Sequence, residues 1–136
     1  MNVIDRIKKN EGYRQWAYEC PAGYLTIGYG TRITSPGPGV SEDIAHRLLI
    51  EEVSRIKREL DNYEPFWALN PVQQDALVEM AYQMGVKGLM SFKKMWRALD
   101  DGDWYEAQLE ALDSKWAREF PARAEEISAL LLEHDK

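Results

Sequence analysis

Long apolar runs are missing from this 136-residue chain. No window approaches the roughly 18 apolar residues of a membrane-spanning helix, so no membrane insertion is expected. The opening residues, Met1-Asn-Val-Ile-Asp-Arg-Ile-Lys-Lys, hold no uninterrupted apolar core and do not read as a secretory signal, so synthesis and accumulation in a cytoplasm are expected. Cysteine is almost absent: Cys20 stands alone and cannot form an internal disulfide. With two histidines, His46 and His134, and no second thiol, neither a metal site nor a cofactor is expected. Positive charge is in deficit too. The chain has 17 Lys and Arg against 23 Asp and Glu, a net charge of −6, the reverse of the balance normal in a nucleic-acid-binding domain. Gly28-Tyr-Gly30 lacks the third glycine and following helix of a dinucleotide fingerprint.

What is present is an ordinary globular composition, 45% hydrophobic and 29% charged, in a length suited to one domain. Five Trp and seven Tyr supply flat amphipathic rings, which fill cores and also line sugar and ligand grooves. Val3, Ile4 and Ile7 share one helical face after a possible Asn2 cap, and Gly12 ends the pattern with Glu11 at the helix edge. An acid there opposes the helix dipole, so Glu11 must be solvated, paired with a cation or held protonated. Trp16 to Ile33 reads as a small antiparallel hairpin sheet, and Ser35-Pro-Gly-Pro-Gly breaks it off. Ser41 then starts the longest helix, with Ile44, Leu48, Leu49, Val53, Ile56 and Leu60 at helical spacing.

Further helices are expected from the Asn70-Pro71 start, with Gly85 and Gly88 interrupting, from Ser91 and Asp103 as caps, and from Pro121 toward Leu132. The chain therefore reads as α+β, mostly α, and as one domain over 1–136. A small lobe at about 12–40 and a connecting helix at about 41–62 lead to a helical lobe at about 63–136, which also takes the N-terminal helix.

The residues able to carry chemistry gather near the front. Glu11 ends a helix, Cys20 and Thr26 flank a tight Pro-Ala-Gly turn, and a helix end plus a hairpin can bring all three to one wall of a cleft. Each also has a plain reading, as a solvated carboxylate, a small buried hydrophobe and a β-forming residue. A Cys20–His46 nucleophilic pair, as in a cysteine hydrolase, is a further alternative.

Asn10-Glu-Gly-Tyr-Arg-Gln-Trp-Ala-Tyr and Gly23-Tyr-Leu-Thr-Ile-Gly-Tyr-Gly30 resemble the opening of phage-type lysozymes, the endolysins of glycoside hydrolase family 24. The likeness continues through Ala81-Tyr-Gln-Met-Gly85, Ser91-Phe92, Trp104 with Glu106-Ala107, and Ser114-Lys-Trp-Ala-Arg-Glu-Phe-Pro-Ala-Arg123. It implies a lysozyme-like fold, in which a small lobe with a three-stranded sheet is joined by a long helix to a helical lobe. It also implies a muramidase, cutting the β-1,4 bond between N-acetylmuramic acid and N-acetylglucosamine in bacterial peptidoglycan.

The resemblance makes Glu11 the general acid, which must keep its proton near neutrality. It makes Arg123 the basic residue that orients this acid, and a Glu11–Arg123 contact is expected. Such a cation lowers a glutamate pKa, so burial must offset it. Thr26 matches the threonine that places the attacking water. Cys20 stands where the best-known members carry aspartate, which puts the chain in a Glu/Cys/Thr branch. Arg32, Tyr82 and Gln83 match positions facing the glycan. Where the family often has Gly-x-Gly-His, this chain has Gly28-Tyr-Gly-Thr31, so the histidine's role is absent or replaced.

The short segment after Ser35 and the early end of the chain suggest a different cleft rim. The expected enzyme is a monomer without cofactors that acts on peptidoglycan glycan strands. It depends on a holin to leave the host cytoplasm for the periplasm and cell wall. A lytic transglycosylase and a non-catalytic wall-binding module are the competing readings. Local cations at Arg14, Arg32, Lys115, Arg118 and Arg123 would serve the cleft despite the net charge.

Overall fold

The computed structural model describes residues 2–33, 37 and 39–133. His134 and most of the Ser35-Pro-Gly-Pro break lie outside them. The architecture is α+β and mostly helical, with one small three-stranded antiparallel sheet near the N-terminus. Two compact units divide it, Met1–Arg55 and Ile56–Lys136.

The first unit begins with α1 (Val3–Glu11). The Asn2 side chain accepts the Asp5 N–H at 2.9 Å as N-cap, and Gly12 closes the helix at φ 71°, a conformation that costs a residue with a Cβ. The sheet follows in the order β1 (Arg14–Glu19), β2 (Leu25–Gly28) and β3 (Thr31–Arg32). Its register sets Tyr18 opposite Thr26 and Thr26 opposite Arg32, so these three form one row across the strands.

Helix α2 (Glu42–Leu60) leaves the sheet with Glu42 and Asp43 in its first turn and Ser41 Oγ accepting the Ile44 N–H at 3.3 Å. The start of α2 is tied back to the strands. The Tyr29 hydroxyl donates to Glu42 Oε1 at 2.8 Å, the Tyr13 hydroxyl donates to the Val40 carbonyl at 2.6 Å, and the Val40 N–H donates to the Gln15 carbonyl at 2.8 Å. Gly28 permits the closest approach, since a Cβ there would lie 3.0 Å from that of Ala45.

In the second unit, α4 (Pro71–Met90) is apolar around much of its circumference, as a helix surrounded by others must be. Leu77, Val78, Met80 and Leu89 on it are fully buried. It starts at a complete capping box: Asn70 Oδ1 accepts the Gln73 N–H, and Gln73 Oε1 accepts the Asn70 N–H. Gln73, 1% exposed, also donates from Nε2 to the Leu131 carbonyl at 2.9 Å, and Asn70 Nδ2 donates to the Glu133 carbonyl at 2.8 Å. Around α4 lie α3 (Glu64–Trp67), α5 (Lys93–Asp100), α6 (Trp104–Leu112), α7 (Lys115–Glu119) and α8 (Pro121–Ala129), the last running into a 3-10 turn at Leu130–Leu132.

Several expectations shift here. Gly85 kinks α4 at φ 83°, but Gly88 stays helical. Ser91 ends α4 rather than starting the next helix: its hydroxyl donates to the Gly88 carbonyl at 2.6 Å, and the cap position of α5 falls to Phe92. Asp103 does cap α6, accepting the Glu106 N–H at 3.1 Å. Helices α3 and α7, of four and five residues, are too short for periodicity to reveal.

Candidate active site

Glu11 is the last residue of α1, so its carboxyl leaves the helix where the chain turns into β1. It comes to rest over the backbone of Gly30. A Cβ placed on Gly30 would be 3.1 Å from both the carboxyl carbon and Oε2 of Glu11, and Gly30 has φ 85°. The glycine thus does two jobs, adopting a left-handed turn and leaving room for an acid against the backbone. Glu11 is part-buried.

Cys20 and Thr26 are brought together by the turn between β1 and β2. The Cys20 N–H donates to the Tyr24 carbonyl and the Gly23 N–H to the Cys20 carbonyl, both at 2.8 Å. This closes a tight loop over Pro21, Ala22 and Gly23. Thr26 is 2% exposed and donates its hydroxyl proton to the Tyr24 carbonyl at 2.8 Å. The same hydroxyl also lies within hydrogen-bond reach of the Cys20 sulfur. A hydroxyl has one proton, so donation to Tyr24 leaves its lone pairs to accept from a thiol or a water, and donation to sulfur would take that proton away from the Tyr24 carbonyl.

Burial pushes the Cys20 thiol up, but hydrogen bonds from the backbone of Tyr24 and Ala22, the Thr26 hydroxyl and the Arg32 charge outweigh it and leave the pKa below its ordinary 9.0. Tyr18 stands beside this group. Burial raises its pKa, and the charges of Glu11 and Cys20 raise it further while Arg14 lowers it. The Arg14 guanidinium lies 5.0 Å above the Tyr18 ring centroid. Arg32, exposed on β3, is stacked on Tyr24 with its guanidinium carbon 3.7 Å from the ring centroid. Thr31 fills the place of the expected histidine, and its hydroxyl oxygen is buried with no hydrogen-bond partner among the described residues.

In the second unit, Tyr82 and Gln83 are part-buried on α4, ahead of the Gly85 kink. The Trp116 indole N–H donates to Gln83 Oε1 at 2.7 Å, which commits the carbonyl of this amide to the protein. Next to it is a groove of about 580 Å³ with Met84, Phe92, Met95 and Trp116 among its walls and Lys93, Lys94 and Lys115 around it. Phe92 and Trp116 meet edge to face, 6.5 Å between centroids at 78°. Arg123 lies on α8 with its guanidinium 6.0 Å from the Phe120 ring centroid.

A sequence model described as phage lysozyme matches residues 8–131. The chain belongs to the phage lysozyme family. Among curated proteins, the chain is 27% identical to the pre-baseplate central spike protein Gp5 of Enterobacteria phage T4, over 97% of its own length and 28% of that protein. It is 23% identical to probable T4-type lysozyme 1 of Dictyostelium discoideum, over 96% and 93% of the two chains. It is 29% identical to an endolysin of Acyrthosiphon pisum secondary endosymbiont phage 1, over 82% and 75%. It thus spans little more than a quarter of the spike protein and nearly the whole of the slime-mould lysozyme.

Within the first unit, the chain groups Glu11, Tyr18, Cys20, Thr26 and Arg32 at the sheet. Tyr82, Gln83 and Arg123 belong to the second. Reading the sequence did not single out Tyr18, Tyr24, Phe92 or Trp116 as site residues. A row of alternating positions on β1 and the Ser91-Phe92 and Ser114-Lys-Trp116 motifs were the signals available for them.

Proposed function

We propose that this lysozyme is a muramidase that hydrolyses the β-1,4 bond between N-acetylmuramic acid and N-acetylglucosamine. Glu11 is its general acid, donating a proton to the glycosidic oxygen as the bond breaks. The observation that carries the reading is the seat of Glu11: a carboxyl lodged over the one glycine that leaves it room, in a chain of the phage lysozyme family. Thr26, with its proton given to the Tyr24 carbonyl, has lone pairs with which to accept a hydrogen bond from the attacking water and so aim it.

Cys20, assisted by backbone hydrogen bonds and the Arg32 charge, supplies partial negative charge where a carboxylate would supply a full one. Arg123 keeps from the resemblance its part in orienting the acid, and Arg32, Tyr82 and Gln83 theirs in binding glycan. The protein works without a cofactor, as a monomer, and on peptidoglycan. It is made in the host cytoplasm and reaches the wall for host lysis once a holin opens the membrane. The deciding experiment is release of new reducing ends from purified peptidoglycan by the wild type and by Glu11→Gln. The variant should lose that release while keeping its melting temperature. Anhydro-sugar ends in place of reducing ends would make the protein a transglycosylase, and near-full activity of Glu11→Gln would remove the acid from the mechanism.

A further inference from the structure

Arg32 acts on Cys20 through its charge alone, which leaves the N–H donors of its guanidinium without a partner among the described residues. It sits on the two-residue strand β3, opposite Thr26, and the Ile33 N–H holds the strand to the Leu25 carbonyl at 2.9 Å. Its guanidinium is laid on Tyr24 at 3.7 Å, a contact that fixes the plane of an otherwise mobile side chain. Among the described residues no hydrogen bond and no ion pair engages it, although both Arg32 and the 48%-exposed Tyr24 are open to solvent. Stacking covers a face of the guanidinium and leaves the N–H donors along its edge, the geometry that binds a carboxylate with two parallel hydrogen bonds.

The neighbour at position 20 completes the argument. The charge of Arg32 reaches the Cys20 thiol, but among the described residues no hydrogen bond joins the two, so the N–H donors stay unspent.

We propose that Arg32, held flat on Tyr24, binds a carboxylate of the wall substrate and makes the enzyme prefer acid-bearing glycan over neutral glycan. This rests on the muramidase reading and adds the group recognised. Two sources carry that chemistry: the lactyl group of muramic acid where no peptide is attached, and the carboxylates of an attached stem peptide.

The test compares wild type, Arg32→Leu, Arg32→Lys and Tyr24→Leu on three substrates. These are intact peptidoglycan, glycan strands freed of peptide by an amidase, and both materials with carboxylates blocked as methylamides. Arg32→Leu should raise KM about tenfold or more on carboxylate-bearing substrate, as expected for a lost charged hydrogen bond, with the loss larger in KM than in kcat. On blocked substrate the rise in KM should be at least severalfold smaller. Arg32→Lys, which keeps the charge without the planar fork, and Tyr24→Leu, which frees the fork, should each give a smaller rise.

An effect that persists on peptide-free strands assigns the lactyl carboxylate, and one that vanishes there assigns the peptide. An equal effect on blocked and unblocked material, or none on either, overturns the proposal while leaving the muramidase reading intact. If the wild type cuts no substrate, that reading fails first. Co-sedimentation with intact and blocked walls then decides for Arg32: binding lost on blocking and in Arg32→Leu supports the proposal, and equal binding ends it.

Discussion

The two compact units of this protein hold their shape by different means. In Met1–Arg55 the backbone carries much of the load: four of the six positive-φ glycines among the described residues, Gly12, Gly23, Gly28 and Gly30, fall in its first 30 positions. Ile56–Lys136 has Gly85 and Gly102 but holds most of the buried apolar side chains, from Ile56 and Leu60 through Leu77 and Met80 to Ile127 and Leu131. The sheet unit is thus organised around turns that aim Glu11, Cys20 and Thr26, and the helical unit around a core. Damage should divide accordingly, with catalysis suffering first in one and stability first in the other.

Four substitutions test that division. The largest effect belongs to Glu11→Gln, which should lower the rate of peptidoglycan cleavage by about 10²–10⁴-fold, the usual worth of a general acid, with little change in thermal unfolding. Next is Leu77→Ala, at a side chain 0% exposed, which should cost about 2–5 kcal/mol in denaturant unfolding while protein that remains folded keeps its turnover number. Loss of turnover there without loss of stability would break the comparison.

Gly30→Ala comes third. Its methyl group would meet the Glu11 carboxyl at 3.1 Å in a backbone conformation unfavourable to alanine, so it should cut activity about tenfold to a hundredfold while costing roughly 1–2 kcal/mol. The smallest effect is at Tyr29→Phe. Burial, and then the hydrogen bond to Glu42, push the Tyr29 hydroxyl up to about 12. The folded state therefore holds this proton more tightly than an unfolded chain, whose tyrosine titrates near 10. The stability so gained is complete below pH 10 and is lost as the pH rises through 10 toward about 12. Tyr29→Phe should cost about 1 kcal/mol at neutral pH and flatten the decline in melting temperature over that alkaline range.

The helical scaffold was legible wherever a cap and an apolar period coincided. Asn2 with Val3 and Ile7, Ser41 with the α2 stripe, and Asn70-Pro71 all start helices where capping chemistry places them. It failed where the same residue type serves either end of a helix. Ser91 looks like an N-cap, yet its hydroxyl turns back to a carbonyl of the preceding helix, and the cap position of α5 passes to Phe92. Gly88 misled for a related reason: glycine permits a break without requiring one, and here Met84 covers it inside a continuing helix.

At the site, the spacing of Glu11, Cys20 and Thr26 suggested proximity, and the resemblance assigned their roles. The strand register that puts Tyr18, Thr26 and Arg32 in one row depends on pairing between residues distant in sequence and on the irregularity between Arg14 and Tyr18. No local pattern encodes that. The burial of Thr26 and the stacking of Arg32 on Tyr24 follow from the same row, which is why both emerged only with the structure.

The buried amide of Gln73 has a consequence for how the chain is made. Its acceptor, the Leu131 carbonyl, is 58 residues downstream, and the Glu133 carbonyl that receives Asn70 is 63 residues downstream. Until residue 131 is made, burying the Gln73 amide as the finished fold does would take it out of water with no Leu131 carbonyl to receive it. A nascent chain halted before residue 131 should therefore leave the helical unit open to proteases. Protection should arrive in a single step, once the last turn has cleared the exit tunnel, rather than accumulate helix by helix.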